Sequence, residues 1–112
     1  MNTKTKIAVA SLVLAFAAGV SYAATAAENW ENSCASCHGE DGKAQTKQGK
    51  KLKIKDYTDK ASLANMTDAQ LADAITNGVK DDKGKERMKG FKDEIPEGEV
   101  AELVKFIRAF AG

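Results

Sequence analysis

A five-residue motif, Cys34-Ala-Ser-Cys37-His38, contains both cysteines and the single histidine of this 112-residue chain. Two thiols separated by two residues and followed at once by an imidazole form the attachment pattern of c-type haem. Each thiol adds across one haem vinyl group, and the spacing lets both sulfurs reach one edge of the macrocycle. The motif therefore predicts one covalently attached haem c on Cys34 and Cys37, with His38 as the proximal iron ligand.

Three other uses of paired cysteines compete with this interpretation. Structural zinc takes four N/S ligands, and two cysteines with one histidine leave a gap that carboxylates seldom fill. A thiol–disulfide oxidoreductase would carry the motif beside a βαβ unit, which the sequence does not suggest. A simple disulfide would close too short a loop to stabilise the fold much. Haem attachment accounts for the motif better than any of these.

The N-terminus has the pattern of an export signal. Lys4 and Lys6 are followed by an apolar run from Ile7 to Val20 and then by the small-x-small sequence Ser21-Tyr-Ala23. This order is typical of a cleaved signal peptide. The run is shorter than the roughly 20 apolar residues that a transmembrane helix needs. We therefore predict export to a bacterial periplasm.

The cleavage site is predicted to follow Ala23, which makes residues 1–23 the signal peptide and 24–112 one mature domain. Thr25 and Glu28 would then form a capping box at the start of the first mature helix. Cleavage after Ala26 and an uncleaved N-terminal anchor are the alternatives.

The mature domain is small and nearly neutral. Removing residues 1–23 from the 112 leaves 89, few for a core without a supplement, and a bulky apolar cofactor would provide one. The signal peptide holds two of the 17 Lys+Arg residues, so 15 basic residues remain against 16 acidic ones. This balance argues against a nucleic-acid partner. No other apolar stretch approaches the length of a membrane span, so we predict no transmembrane segment in the mature chain.

Helical spacing recurs along the mature chain, and strand-like alternation is missing, so we predict an all-α fold. The first helix should run from about Ala26 to Cys34. A second should begin at a Thr67 capping box and stop at Gly78, and a third should follow Pro96. A short additional helix is expected around 59–63.

The second axial ligand should be a methionine, and the mature chain offers Met66 and Met88. Met66 immediately precedes the Thr67 cap and can pack on Leu71 as a hydrophobic staple. Met88 lies in a polar stretch, where a thioether gains little from ordinary burial. We therefore predict Met88 as the distal iron ligand, with gap filling in the core as the alternative.

Over essentially the whole mature length, these residues resemble class I cytochromes c. Cys34-Ala-Ser-Cys37-His38-Gly39 is similar to the haem-binding stretch of that family, and the segment 87–92 is similar to its methionine-ligand loop. The resemblance implies about four helices wrapped around one covalently attached haem, with His/Met ligation by His38 and Met88.

The same resemblance extends to the helix packing. Trp30 and Ala26 occupy the positions at which the family packs an aromatic and a small residue on the last helix, where Leu103 and Phe106 would be the partners. One position departs from the family, which often has a proline whose carbonyl accepts from the haem histidine. Lys50 stands there, and its backbone carbonyl could still take that role.

The predicted function is one-electron transport by a monomer that turns over no substrate. A haem-based sensor or ligand-binding protein, or a small peroxidase, is the alternative if the distal position is open. A second alternative is a fixed relay domain of a larger haem complex. The expected partners are other redox proteins that dock transiently, including acidic ones that meet a lysine-rich haem rim. The lysines in question follow the motif: Lys43, Lys47, Lys50, Lys51, Lys53, Lys55 and Lys60.

Overall fold

The structure is a computed structural model that describes residues 24–112, so the predicted signal peptide lies outside the described residues. It opens with a continuous N-terminal helix made of α1 (Ala26–Asn29), a π-helical segment (Trp30–Cys34) and α2 (Ala35–His38). The predicted capping box forms, because the Thr25 hydroxyl accepts from the N–H of Glu28 at 3.1 Å and the Glu28 carboxylate accepts from the N–H of Thr25 at 2.8 Å.

The predicted end of this helix at Cys34 is wrong. The helix continues through the whole motif to His38 and ends at Gly39, whose φ of +84° breaks the helical geometry. The sequence signal for this end is the glycine itself, since glycine commonly follows the last helical residue. Both cysteines and the histidine therefore lie on one helical stretch.

Four further helices follow: α3 (Lys47–Leu52), α4 (Lys60–Leu63), α5 (Asp68–Asn77) and α6 (Glu97–Ala109). The last three confirm the predictions at 59–63, 67–78 and after Pro96, including the Thr67 capping box. Helix α3 was not predicted. The Thr46 side chain caps it by accepting from the N–H of Gly49 at 2.8 Å.

A short antiparallel hairpin interrupts the helices, with β1 (Val79–Lys80) paired to β2 (Glu86–Met88). The sequence did not predict it, because two- and three-residue strands are too short to show alternation. All the other regular secondary structure among residues 24–112 is helical, which confirms the all-α prediction. Among residues 24–112, no helix has the length and apolar character needed to cross a bilayer.

The core lies where the N-terminal helix meets α5 and α6. Leu103 of α6 is completely buried, and Trp30 is 3% exposed. The Trp30 and Phe106 rings lie 5.7 Å apart between centroids, which confirms the expected packing of that aromatic on the last helix. The Asn29 side chain also donates to Glu99 at 2.9 Å. The two ends of the described part of the chain are thus joined.

Candidate haem site

One cavity of about 560 Å³ is lined by all four side chains singled out in the sequence, Cys34, Cys37, His38 and Met88. This volume lies in the range of ligand pockets, about 300–1,000 Å³. A second cavity of about 220 Å³ is also lined by Cys34, His38 and Met88. Apolar side chains complete much of the larger wall: Leu52, Ile54, Val79 and Phe91.

The motif is held in place from its C-terminal side by the chain that follows it. The Thr46 hydroxyl donates to the carbonyl oxygen of Cys37 at 2.6 Å, and the N–H of Ala44 donates to that of His38 at 2.7 Å. Since Thr46 also caps α3, the same residue connects the start of that helix to the motif. Helix α3 then contributes Leu52 to the cavity wall.

Both cysteines are present as free thiols, Cys34 buried and Cys37 partly exposed. Burial, with a smaller contribution from the charge of Cys37, raises the pKa of the Cys34 thiol to about 11. Two unpaired thiols at one cavity wall suit covalent attachment of a ligand, and they do not form the disulfide considered as an alternative.

His38 is buried, and burial lowers the pKa of its imidazole. The neutral ring that results is the form that binds metals. Its Nδ1 atom is fully buried and has no hydrogen-bond partner among the described residues. The hydrogen bond expected from Nδ1 to the backbone carbonyl of Lys50 is thus not formed. The carbonyl oxygen of Lys50 instead accepts from the N–H of Lys53 at 3.3 Å.

The backbone fixes the position of Met88 at the end of β2. Gly78 and Gly90 lie so close to the opposite backbone that a β-carbon on Gly78 would sit 2.5 Å from the carbonyl oxygen of Met88, and one on Gly90 would sit 2.6 Å from that of Thr76. The N–H of Phe91 donates to the carbonyl oxygen of Ile75 at 2.8 Å. The segment around Met88 is therefore fastened to the end of α5.

The other methionine, Met66, lines only the smaller of the two cavities and packs against the core. Its carbonyl oxygen accepts from the guanidinium of Arg108 at 2.6 Å. These contacts agree with a structural role for Met66 beside the cap of α5.

Three residues that were not predicted as site residues also line the cavity. Tyr57 lines both cavities, and its ring stacks on that of His38 with 5.2 Å between centroids. Arg87 lines the larger cavity and donates to the carbonyl oxygen of Leu52 at 3.0 Å, which joins β2 to α3. Val79 lines both cavities although 40% of it is exposed. These residues lie far from the haem motif in the chain, so local sequence patterns do not connect them with it.

The residues present fit a covalently attached haem. Two free thiols, a neutral buried imidazole and a thioether border one largely apolar space of ligand size. In the described part of the chain, no three His, Cys, Asp or Glu side chains are grouped to hold a bare metal ion. The fold and site define a small protein of the c-type cytochrome class.

Comparison with known proteins assigns the family. The profile of the family described as cytochrome C oxidase, cbb3-type, subunit III matches residues 22–107, and the chain therefore belongs to this family. The solved structure of the KustC0563 c-type cytochrome is similar, with a TM-score of 0.68 and 26% sequence identity over 80% of this chain and all of that one. Among curated proteins, none matches the chain. The protein is a haem c protein of the electron-carrying cytochrome c type.

Proposed function

We propose that this protein is a periplasmic one-electron carrier, in which Cys34 and Cys37 hold the haem through thioethers, His38 is the proximal iron ligand and Met88 the distal one. The observation that carries the proposal is that these four side chains border a single cavity. The Nδ1 atom of His38 is buried away from solvent, so Nε2 is the nitrogen left to ligate iron.

The bound haem would supply one-electron exchange at its iron. The chain's own residues do the rest. The N-terminal helix holds the proximal imidazole, and the β2 segment brings the thioether to the same cavity. A His/Met pair favours a high reduction potential. If His38 and Met88 both held the iron, no position would remain for a substrate, so the protein would transport electrons without catalysing a reaction.

Axial ligation is tested with the ferric holoprotein. The wild type should have a low-spin visible spectrum, and Met88→Ala should become high-spin and bind cyanide faster. Met66→Leu is the matched control, because Met66 is the other methionine beside His38 and should leave the spectrum unchanged. A high-spin wild type would instead favour the ligand-binding, sensor or peroxidase alternative.

Attachment is tested by mass spectrometry of the purified chain. The wild type should carry the mass of one haem after denaturation, and the double variant Cys34→Ser/Cys37→Ser should carry none. Each single variant should retain one thioether, which shifts the absorption of the reduced protein because one vinyl group stays unsaturated. Retention of the haem mass by the double variant would refute attachment at these residues.

Location is tested by cell fractionation and by the mass of the mature N-terminus. Cleavage after Ala23 should give a chain that begins at Ala24, and cleavage after Ala26 one that begins at Ala27. Recovery of the uncleaved chain in the membrane fraction would favour the anchored alternative.

Transient docking of redox partners at a lysine-rich surface is part of the proposal. The post-motif lysines Lys43, Lys47, Lys50, Lys51, Lys53, Lys55 and Lys60 are all exposed. Within residues 24–112 the ion pairs involve other basic residues, and among these lysines the charge of Lys43 acts on the Asp56 carboxylate. Several flank cavity residues of α3, such as Leu52, and would attract an acidic partner to the haem edge.

The docking surface is tested by stopped-flow reduction with an anionic small-molecule reductant. Lys50→Glu/Lys51→Glu should slow reduction at low salt and reduce its salt dependence, since exposed charges are screened beyond about 10 Å at 0.1 M salt. Lys105→Glu on α6 is the control, because Lys105 pairs with Glu102 outside the post-motif lysines. An effect of Lys105→Glu half as large as that of the double variant, in proportion to the number of lysines replaced, would show that only net charge matters.

A fixed relay in a larger complex is the second candidate, because the family description names an oxidase subunit. Mild detergent extraction and native chromatography separate the two. A carrier should elute alone as a monomer, whereas a relay should co-elute with other haem subunits.

A further inference from the structure

The imidazole of His38 contacts two aromatic rings, which also contact each other with 6.4 Å between centroids. Tyr57 stacks on it with 5.2 Å between centroids and an interplanar angle of 21°, and Trp30 lies at 5.5 Å with an angle of 46°. Stacked and tilted arrangements at these distances are the favourable geometries of aromatic pairs. The orientation of the ring is thus determined by contact with two planes.

Neighbouring backbone carbonyls of the motif are engaged elsewhere. The carbonyl oxygen of Cys37 accepts from Thr46, that of His38 from Ala44, and that of Gly39 from the Trp30 indole at 3.0 Å. Nδ1 itself has no acceptor among the described residues although it is buried. In metal sites the second nitrogen of a ligating histidine usually donates to such an acceptor, which fixes the ring and raises its basicity.

Both flanking rings are themselves held in place. Trp30 packs against Phe106 and Phe110, with centroid distances of 5.7 and 5.0 Å, in addition to its bond to Gly39. The N–H of Tyr57 donates to the carbonyl oxygen of Gly42 at 2.8 Å. Neither ring can rotate freely away from His38, so together they can replace the missing orienting bond.

We propose that Tyr57 is a positioning residue for the haem: its ring, stacked on the His38 imidazole beside that of Trp30, fixes the plane of the imidazole in place of a hydrogen bond from Nδ1. The inference rests on the proposed role of His38 as proximal ligand. If His38 holds the haem iron, an imidazole without an Nδ1 acceptor would donate less charge to it and would favour the ferrous state.

The first test is nuclear magnetic resonance of the reduced holoprotein. The chain has one histidine, so ¹⁵N-histidine labelling reports a single imidazole. The Nδ1 proton should resonate upfield, at the position of an unbonded N–H, and should exchange slowly because the atom is buried. A downfield resonance typical of a hydrogen-bonded N–H, or rapid exchange with water, would overturn the proposal.

The second test compares Tyr57→Phe with Tyr57→Leu by electron paramagnetic resonance of the ferric protein, whose g values depend on the orientation of the axial ligands. Tyr57→Phe keeps the ring and should match the wild type, whereas Tyr57→Leu should shift or broaden the signal. Identical spectra for wild type and Tyr57→Leu would overturn the proposal, as would an equal shift in Tyr57→Phe, which would assign the effect to the hydroxyl.

These outcomes are separable from failure of the proposed function. If His38 does not ligate iron, its ¹⁵N resonances will lack the large paramagnetic shift on oxidation, whatever happens at Tyr57. If Tyr57→Leu does not fold, the Nδ1 proton of the wild type still decides between an unbonded and a bonded imidazole.

Discussion

The indole Nε1–H of Trp30 donates to the carbonyl oxygen of Gly39 at 3.0 Å, and this hydrogen bond connects the residues on either side of the haem motif. The donor lies four residues before Cys34, and the acceptor directly follows His38. Because the bond is buried, it competes little with water. One side chain therefore ties the packing of the terminal helices to the geometry of the site.

Trp30→Phe should test this hydrogen bond. The variant keeps an aromatic ring but leaves the Gly39 carbonyl without its donor, which should lower the free energy of unfolding by about 1–3 kcal/mol. Guanidinium denaturation of the holoprotein, followed by haem absorbance, measures the change. Phe110→Leu loses ring contact with Trp30 but keeps the bond, and a larger loss there would show that ring packing dominates.

The backbone contact between Gly78 and Gly90 leads to a prediction about Met88. Alanine at either glycine would collide with backbone at about 2.5–2.6 Å, so the segment carrying Met88 must move. Both variants should weaken methionine ligation and bind cyanide faster than the wild type.

Gly98→Ala is the matched control for these glycine variants. Gly98 lies in α6 with open space around it, and alanine there should stabilise the protein by about 0.5–1 kcal/mol without altering the spectrum. Unchanged cyanide binding in Gly78→Ala and Gly90→Ala would show that Met88 does not depend on this contact.

The site was more predictable from the sequence than its surroundings were. Adjacent residues carry the chemistry of the motif, and the polar context of Met88 distinguished it from Met66. Helix α5 was equally clear, since its Thr67 box and Gly78 both leave signals in the sequence. In contrast, Tyr57 meets His38 only through the tertiary fold, which local spacing does not encode.

Helix α3 and the hairpin were missed for a different reason. Helix α3 has Gly49 in its middle and mostly exposed lysines around it, so it shows no apolar stripe. Its one local signal is Thr46, a good N-cap residue. The strands of the hairpin are too short to show an alternating apolar and polar pattern, although Asp81 and Gly84 do mark its turn.

Leu103→Ala should measure the contribution of the core. Leu103 is fully buried, so truncation should lower the free energy of unfolding by about 2–5 kcal/mol. Glu102→Ala on the exposed side of the same helix should change it by less than about 1 kcal/mol, because its ion pair with Lys105 is exposed. If chemical denaturation gave comparable losses of unfolding free energy for Leu103→Ala and Glu102→Ala, Leu103 would not be a central residue of the core.

The capping box at the start of α1 predicts a pH dependence. Hydrogen bonds from the backbone and side chain of Thr25 lower the pKa of Glu28. Since the folded-state pKa lies below the ordinary value of about 4.3, the carboxylate stabilises the fold above that pH, and the contribution is lost as the pH falls through the lowered value.

Thermal unfolding between about pH 6 and pH 2 tests this dependence. Glu28→Gln should melt below the wild type at the upper end, and the two melting temperatures should converge as the pH falls. Glu31→Gln is the control, because the carboxylate of Glu31 has no hydrogen bond among the described residues. A constant difference between wild type and Glu28→Gln across the range would refute the electrostatic origin.

The close backbone contact at Gly78 and Gly90 lies at one end of the hairpin, and the turn of the hairpin lies at the other end. At the end with the two glycines, the backbone contact fixes Met88. At the other end, residues 81–85 form a turn that is held by hydrogen bonds from the N–H groups of Lys83 and Lys85 to the Asp81 carboxylate. The turn is therefore a suitable site for inserting a peptide that binds an electrode surface. Such an insertion would immobilise the protein with the proposed distal ligand near the electrode, and it would leave the position of that ligand unchanged.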